Sequence, residues 1–200
     1  PPFDLHCPLM SLPLAFGARL DTIPAPRAYL TAPNERLSKW RERLPKSTAP
    51  RVGLIWSASR SPHRIGNRDI ALKHLMPLLN VAGISFVSLQ REYRDYDLPL
   101  LSQLPIERID DAIHDFGDTA AAIEQCDLVI SVDTAAAHLA GALGKPVWLL
   151  LSHAADWRWL LDRTDSPWYP SARLFRQSRR GAWDEPIARV AEELQAFRQK

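Results

Sequence analysis

The stretch from Asp127 to Leu151 constrains this chain more than any other. An apolar run (128–132) leads into a polar elbow, Asp133-Thr134, followed by the small-residue run Ala-Ala-Ala-His138-Leu-Ala-Gly-Ala, then Gly144-Lys145-Pro146 and a second apolar run (147–151). Continuous apolar runs of this length read as strands buried on both faces, and the small-residue run between them reads as a helix over 135–143, so the unit is βαβ with parallel strands. Gly144 and Pro146 are the signals that stop the helix and start the next strand. At the elbow the first backbone N–H groups of the helix have no intrahelical partner and the positive end of the helix dipole faces outward, beside the Thr134 hydroxyl. That combination suits a phosphate.

The rest of the chain repeats the same rhythm from Arg51 onward. Short apolar runs at 52–56, 84–89 and 106–109 are expected strands, and helices are expected at 71–81, 119–125 and 185–198, with Pro77 kinking or ending the first and Asp184 capping the last. Alternating strands and helices argue for an α/β fold, a Rossmann-like doubly wound and mainly parallel sheet, over residues 50–200. Residues 1–49 differ. They carry eight of the prolines, Pro1 to Pro45 and including Pro33, with one helical pattern at 34–44, and read as a proline-rich connector or interdomain segment. The run 9–16 is apolar enough to need burial against the main domain or a further one. The chain begins at Pro1 within an apolar pattern and is expected to be part of something longer.

With 46% hydrophobic residues and 200 positions the chain can bury a real core. Its formal charge of +2 argues against nucleic acid or an anionic membrane as partner, whereas Arg51, Arg60, Arg64 and Arg68 gather around one loop and favour a local anion site. The two cysteines, Cys7 and Cys126, form neither a CxxC pair nor a zinc-type cluster, so no metal is expected and a reducing cytoplasm is the expected location. No apolar run approaches the roughly 20 residues of a membrane span.

In an open parallel sheet, ligands bind outside the carboxyl ends of the strands. The loops at those ends supply Ser57, Ser59, His63, Arg64, Asn67, Arg68, Gln90, Asp111, His114, Asp133, Thr134 and His153. The loop 57–69 is long for a strand-to-helix connection and concentrates hydroxyls and guanidinium groups, a mixture that fits a diphosphate. At the elbow, Asp133 would repel a phosphate directly, so its carboxylate is expected on backbone amides or a sugar hydroxyl. Thr134 and the amides from Ala135 onward are left for phosphate, with His138 one turn further on. Competing signatures are missing: no GxGxxG follows the first strand, and the glycines of 141–146 precede a strand rather than follow one. Five tryptophans, Trp148, Trp157, Trp159, Trp168 and Trp183, crowd the last third with Tyr169 and read chiefly as packing area. A short helix is expected at 156–161.

The pattern strand, Asp133-Thr134, three alanines, His138-Leu-Ala, then Gly-Lys-Pro-Val resembles the donor-binding motif of the heptosyltransferase family, and the chain as a whole resembles the C-terminal half of a GT-B glycosyltransferase. Its wider phrasing, including Asp4-Leu-His-Cys-Pro, Arg51-Val-Gly-Leu-Ile-Trp56, Asp118-Thr119 and Asp156-Trp-Arg-Trp-Leu-Leu-Asp162, is similar to bacterial tetratricopeptide-repeat proteins with a glycosyltransferase-like C-terminal region. The resemblance implies a nucleotide-diphosphate-sugar donor. Ser57, Ser59, Arg64, Arg68, Thr134 and Ala135 would meet the diphosphate, and Gln90, Asp133 and His138 the nucleotide or ribose. Ala135 stands where heptosyltransferases usually have glycine. The resemblance also implies a partner N-terminal domain that supplies the catalytic base, possible helical repeats, hexosyl or heptosyl transfer only in a longer protein, and no cofactor. Two alternatives remain open: a non-catalytic scaffold domain, or half of a nucleotide-sugar epimerase.

Overall fold

The computed structural model describes residues 2–58 and 68–198. Six strands, β1 (Arg51–Ile55), β2 (Ser85–Ser88), β3 (Ile106–Arg108), β4 (Leu128–Val132), β5 (Val147–Leu151) and β6 (Ala172–Arg176), form one sheet in the order β3-β2-β1-β4-β5-β6 with every pairing parallel. The helices are α1 (Leu12–Ala15), α2 (Asn34–Arg43), α3 (Met76–Leu79), α4 (Leu98–Leu101), α5 (Phe116–Glu124), α6 (Ala135–Ala142) and α7 (Asp184–Phe197).

Alternation along each strand sends side chains to two separate cores. In β4, Leu128, Ile130 and Val132 join Val52 and Leu54 of β1 under α3 and α7, where Leu78, Ile187, Val190 and Leu194 are buried. Val129 faces the other way, with Ile55 and Leu149, against Trp40 of α2, Ile123 of α5 and Ala137 and Ala140 of α6. Strands covered on both faces have no polar face to show, which is why their sequences read as unbroken apolar runs. The small residues of α6 let that helix lie close to the sheet. It ends where Gly144 takes φ +74°, with the Lys145 amide reaching back to the Ala140 carbonyl (3.0 Å), the closure that a left-handed glycine permits.

The expected α/β doubly wound sheet is therefore the observed one, with several local differences. The pattern at 71–81 is a 3-10 turn (Leu72–Leu75) followed by α3, and Pro77 sits in the first turn of α3, where a missing N–H costs nothing. Asp184 is not the cap of α7 but lies in its first turn, with Trp183 at the cap position. Helix α5 starts at Phe116 because Asp115 caps it, accepting from the Asp118 amide at 2.9 Å. The expected helix at 156–161 is a single 3-10 turn, Trp157–Trp159. Strand β6 was not expected. Its outer side is covered by its own preceding loop: Asp165 bridges Arg173 antiparallel, and the Leu174 amide donates to the Thr164 carbonyl (2.8 Å).

Helix α2 is fastened to α5 around Asp118, a buried carboxylate. It accepts from the Trp40 indole (3.1 Å), Arg36 (3.1 Å) and the His114 amide (3.1 Å), with Lys39 at 3.6 Å. Burial opposes ionisation there, but these donors outweigh it and hold the Asp118 carboxyl below the usual carboxylate range. The run 9–16, by contrast, finds no core in this chain: Leu14 is 86% exposed and Phe16 82%. Among the described residues no helix is long and apolar enough to cross a membrane.

Candidate functional site

In this sheet the strand order reverses between β1 and β4, so the carboxyl ends of those two strands frame a crevice. A cavity of about 1090 Å³ opens beside it, lined at its inner end by Arg68, Asp133, Thr134, Ala135 and His138. Its outer wall comes from the loops after β5 and β6, with His153, Trp157, Arg158, Gln177 and Arg180, and from Leu9, Met10 and Pro13 of the N-terminal run.

The elbow is built as a helix start. Thr134, in extended conformation, is the N-cap of α6; its hydroxyl accepts from the Ala137 amide at 3.4 Å and lies 3.2 Å from the Ser131 hydroxyl. Asp133 is thus freed from capping. Among the described residues, the amides of Ala135 and Ala136 meet no acceptor, whereas Ala137 and His138 both donate to the Thr134 carbonyl. These two N–H groups lie at the positive end of the dipole, and Ala135 lines the cavity.

Arg68 is turned over this elbow rather than out to solvent. It donates to the Asp133 carbonyl and carboxylate, and the same carboxylate lies 3.6 Å from His138 Nε2. Burial of Asp133 works against its charge, but the His138 ring and the Arg68 guanidinium more than offset it and keep its pKa below the usual range. The imidazole of His138 is itself held, stacked on Trp159 at 5.1 Å and 15° and 3.0 Å from the Tyr169 hydroxyl through Nδ1.

Of the residues singled out in the sequence, Arg68, Asp133, Thr134, Ala135, His138 and His153 come together at the cavity. Ser57 and Gln90 sit at the expected strand ends but face inward: Gln90 Oε1 accepts from the Trp56 amide (2.7 Å), the Ser57 amide (2.7 Å) and the Ser57 hydroxyl (3.3 Å). Ser59 and Arg64, with Arg60, His63 and Asn67, lie outside the described residues. The two ends of their loop are pinned together, since the Ala58 amide donates to Asp69, which also pairs with Arg94. Arg51 does not belong to the anion site. It starts β1, at the opposite end of the sheet, and donates to the carbonyls of Leu44, Pro45 and Gln125. Asp111 and His114 do not line the cavity. Gln177 and Arg180 do, and were missed with β6, the strand that carries them there. Among the described residues no three His, Cys, Asp or Glu side chains gather as a metal site.

Known proteins share sequence and fold with this chain. Residues 114–180, which include the elbow, match the family model of glycosyltransferase family 9 (heptosyltransferase). The chain is 32% identical over 186 residues to Protein FlbA of Caulobacter vibrioides, an alignment covering 88% of this chain and 30% of that protein. The chain thus spans under a third of this curated relative. Among solved structures, the fold is similar to that of the E. coli ADP-heptose lps heptosyltransferase II, with a TM-score of 0.54, 18% identity and coverage of 85% of this chain and 53% of that one. It is equally similar to the glycosyl transferase family 9 protein from Veillonella parvula, with a TM-score of 0.55, 15% identity and coverage of 85% and 54%.

Proposed function

From a chain with a GT-B-like glycosyltransferase fold, we propose a donor-binding domain that holds a nucleotide diphosphate sugar at the elbow between β4 and α6 and stabilises the departing diphosphate. One observation carries this reading: the start of α6, where the Ala135 and Ala136 amides meet no acceptor among the described residues, borders a large cavity that Thr134, Ala135 and Arg68 line together, with Arg68 held on Asp133. Negative charge builds on the diphosphate as the glycosyl bond breaks, and fixed amides, a helix dipole and a guanidinium already in place meet that charge without reorganising. The Thr134 hydroxyl accepts from the Ala137 amide and lies 3.2 Å from Ser131 Oγ, whose own proton goes to the Val132 carbonyl; turning the Thr134 proton from Ser131 to a phosphate oxygen gives the donor a further hydrogen bond. Arg64 and Ser59 join the diphosphate from the loop after β1, and Ser57 supports that loop. Asp133, already balanced by Arg68 and His138, faces the sugar or ribose hydroxyls rather than the phosphates, with His138 beside it. Gln90 acts from behind by fixing the end of β1.

Glycosyl transfer itself requires the second Rossmann-like domain of the GT-B arrangement, which supplies the opposite wall of the cleft and the catalytic base. We place residues 1–49 as the connector to it, residues 50–200 as the donor domain, and the whole in the cytoplasm, beside helical repeats in a longer protein. The test is a thermal-shift screen of UDP, GDP, ADP and CMP, followed by calorimetry. At least one nucleotide diphosphate should raise the melting temperature, and Thr134→Ala should weaken it about three- to tenfold, the worth of one hydrogen bond. No shift with any of them rejects the site.

A second reading has its own observation. The large apolar side chains of the first twenty residues, Leu5, Leu9, Leu14 and Phe16 among them, are exposed. A non-catalytic interaction module would use that face on protein and would bind no nucleotide.

A further inference from the structure

Tyr169 and Trp159 reach the elbow from the segment between β5 and β6, far from α6 in sequence, and both act on one ring. Trp159 is fully buried and lies nearly parallel to the His138 imidazole. Tyr169 lies so close along α6 that a Cβ on Gly141 would stand 2.5 Å from its ring, so a glycine at that point of the helix is what admits it. With the tyrosine there, both nitrogens of His138 face a partner: Nδ1 the Tyr169 hydroxyl at 3.0 Å, Nε2 the Asp133 carboxylate at 3.6 Å.

We infer that Tyr169 is a positioning residue that locks His138 in the Nε2–H tautomer, so that the imidazole serves the elbow as a fixed N–H donor and never as a base. An ionised carboxylate only accepts, so at the nitrogen that faces Asp133 at 3.6 Å a hydrogen is favoured over a lone pair. In the neutral ring Nδ1 is then a lone pair, and the Tyr169 O–H donates to it. Burial, reinforced by Tyr29, pushes the Tyr169 phenol well above its ordinary value, so it keeps that proton. The charged and titratable groups around the imidazole are Asp133 and Arg68 at the elbow, Tyr169 with Tyr29 behind it, and Arg158 on the turn below. In the donor reading, on which the ligand part of this inference rests, Nε2–H is directed at an anionic oxygen of the donor or holds Asp133 for its hydroxyls.

The test is long-range proton–nitrogen correlation spectroscopy of the full chain, with the His138 signals assigned from a His138→Asn variant. In its neutral form the native ring should be almost wholly Nε2–H. Tyr169→Phe keeps the ring but not the hydroxyl, and should give a mixture of tautomers with a melting temperature close to native. Nucleotide diphosphate affinity of that variant should fall about three- to tenfold. A native Nδ1–H ring, or the same tautomer in both proteins, overturns the inference whatever the nucleotide does. The expected tautomers with no nucleotide binding by the native protein uphold the role of Tyr169 and overturn the donor reading alone.

Discussion

One guanidinium nitrogen of Arg68 donates to both the main-chain carbonyl of Asp133 (3.1 Å) and its carboxylate (3.3 Å), tying positions 65 residues apart. The arginine that follows the loop after β1 is therefore parked on the elbow after β4, before any ligand arrives. Arg68→Ala should weaken nucleotide diphosphate binding by about tenfold or more, the worth of charge-assisted hydrogen bonds. Arg68→Lys should recover only part, since an ammonium lacks the planar fork. Calorimetry across a salt series checks both, with native affinity falling as ionic strength rises. Unchanged affinity in the alanine variant would remove Arg68 from the site.

Gln90 should matter to stability more than to binding. Replacing it with Ala leaves the buried Trp56 and Ser57 amides without their acceptor, at a cost of about 2–4 kcal/mol. Ser57→Ala removes only a long third bond and should cost under about 1 kcal/mol. Urea unfolding of the two variants measures the contrast.

Asp118 carries a pH dependence with a definite sign. Its folded pKa is lowered, so its contribution is fully present above the ordinary value of 3.8 and is lost as the pH falls below that, through the folded value. Asp118→Ala leaves the buried Trp40 indole without its acceptor, while Arg36 keeps Asp115 and Lys39 stays solvated, and should cost about 1–3 kcal/mol at neutral pH. The difference between native and variant should shrink in acid melts. A constant difference down to the lowest pH would show that the carboxylate charge is not what holds α2.

The thiols should separate cleanly. Cys126 is buried and its pKa is pushed up to about 12 by desolvation, whereas Cys7 is exposed. A chromogenic thiol reagent should titrate one cysteine in the native protein and both in denaturant. Fast reaction of both without denaturant would mean that the face covered by α5 opens readily.

The middle of the sheet was legible in the sequence because its elements carry strong and redundant signals. β5 is an unbroken apolar run and β4 is interrupted only by Ser131, α6 is mostly small residues, and Gly144 and Pro146 punctuate them. β6 was not legible, because Arg173 and Arg176 interrupt its apolar side chains and an edge strand is free to carry such charges. Missing the strand meant missing Gln177 and Arg180, which have no motif of their own. Ser57 and Gln90 were placed at the right strand ends, but composition cannot say that an amide at a strand end will turn inward and cap its neighbour. The partners of His138 were out of reach for a similar reason: Trp159 and Tyr169 read as packing area, and only the fold brings one indole face and one phenol oxygen to the same imidazole.

The antiparallel bridge between Asp165 and Arg173, together with the Thr164 carbonyl, occupies hydrogen-bonding positions that β6 would otherwise offer to an incoming chain. The sheet cannot grow past this rim by recruiting another copy. Strand-to-strand recruitment is thereby left to the opposite rim, at the three-residue β3, while contacts on this side have to be made by side chains, a route that a few substitutions can abolish without touching the backbone.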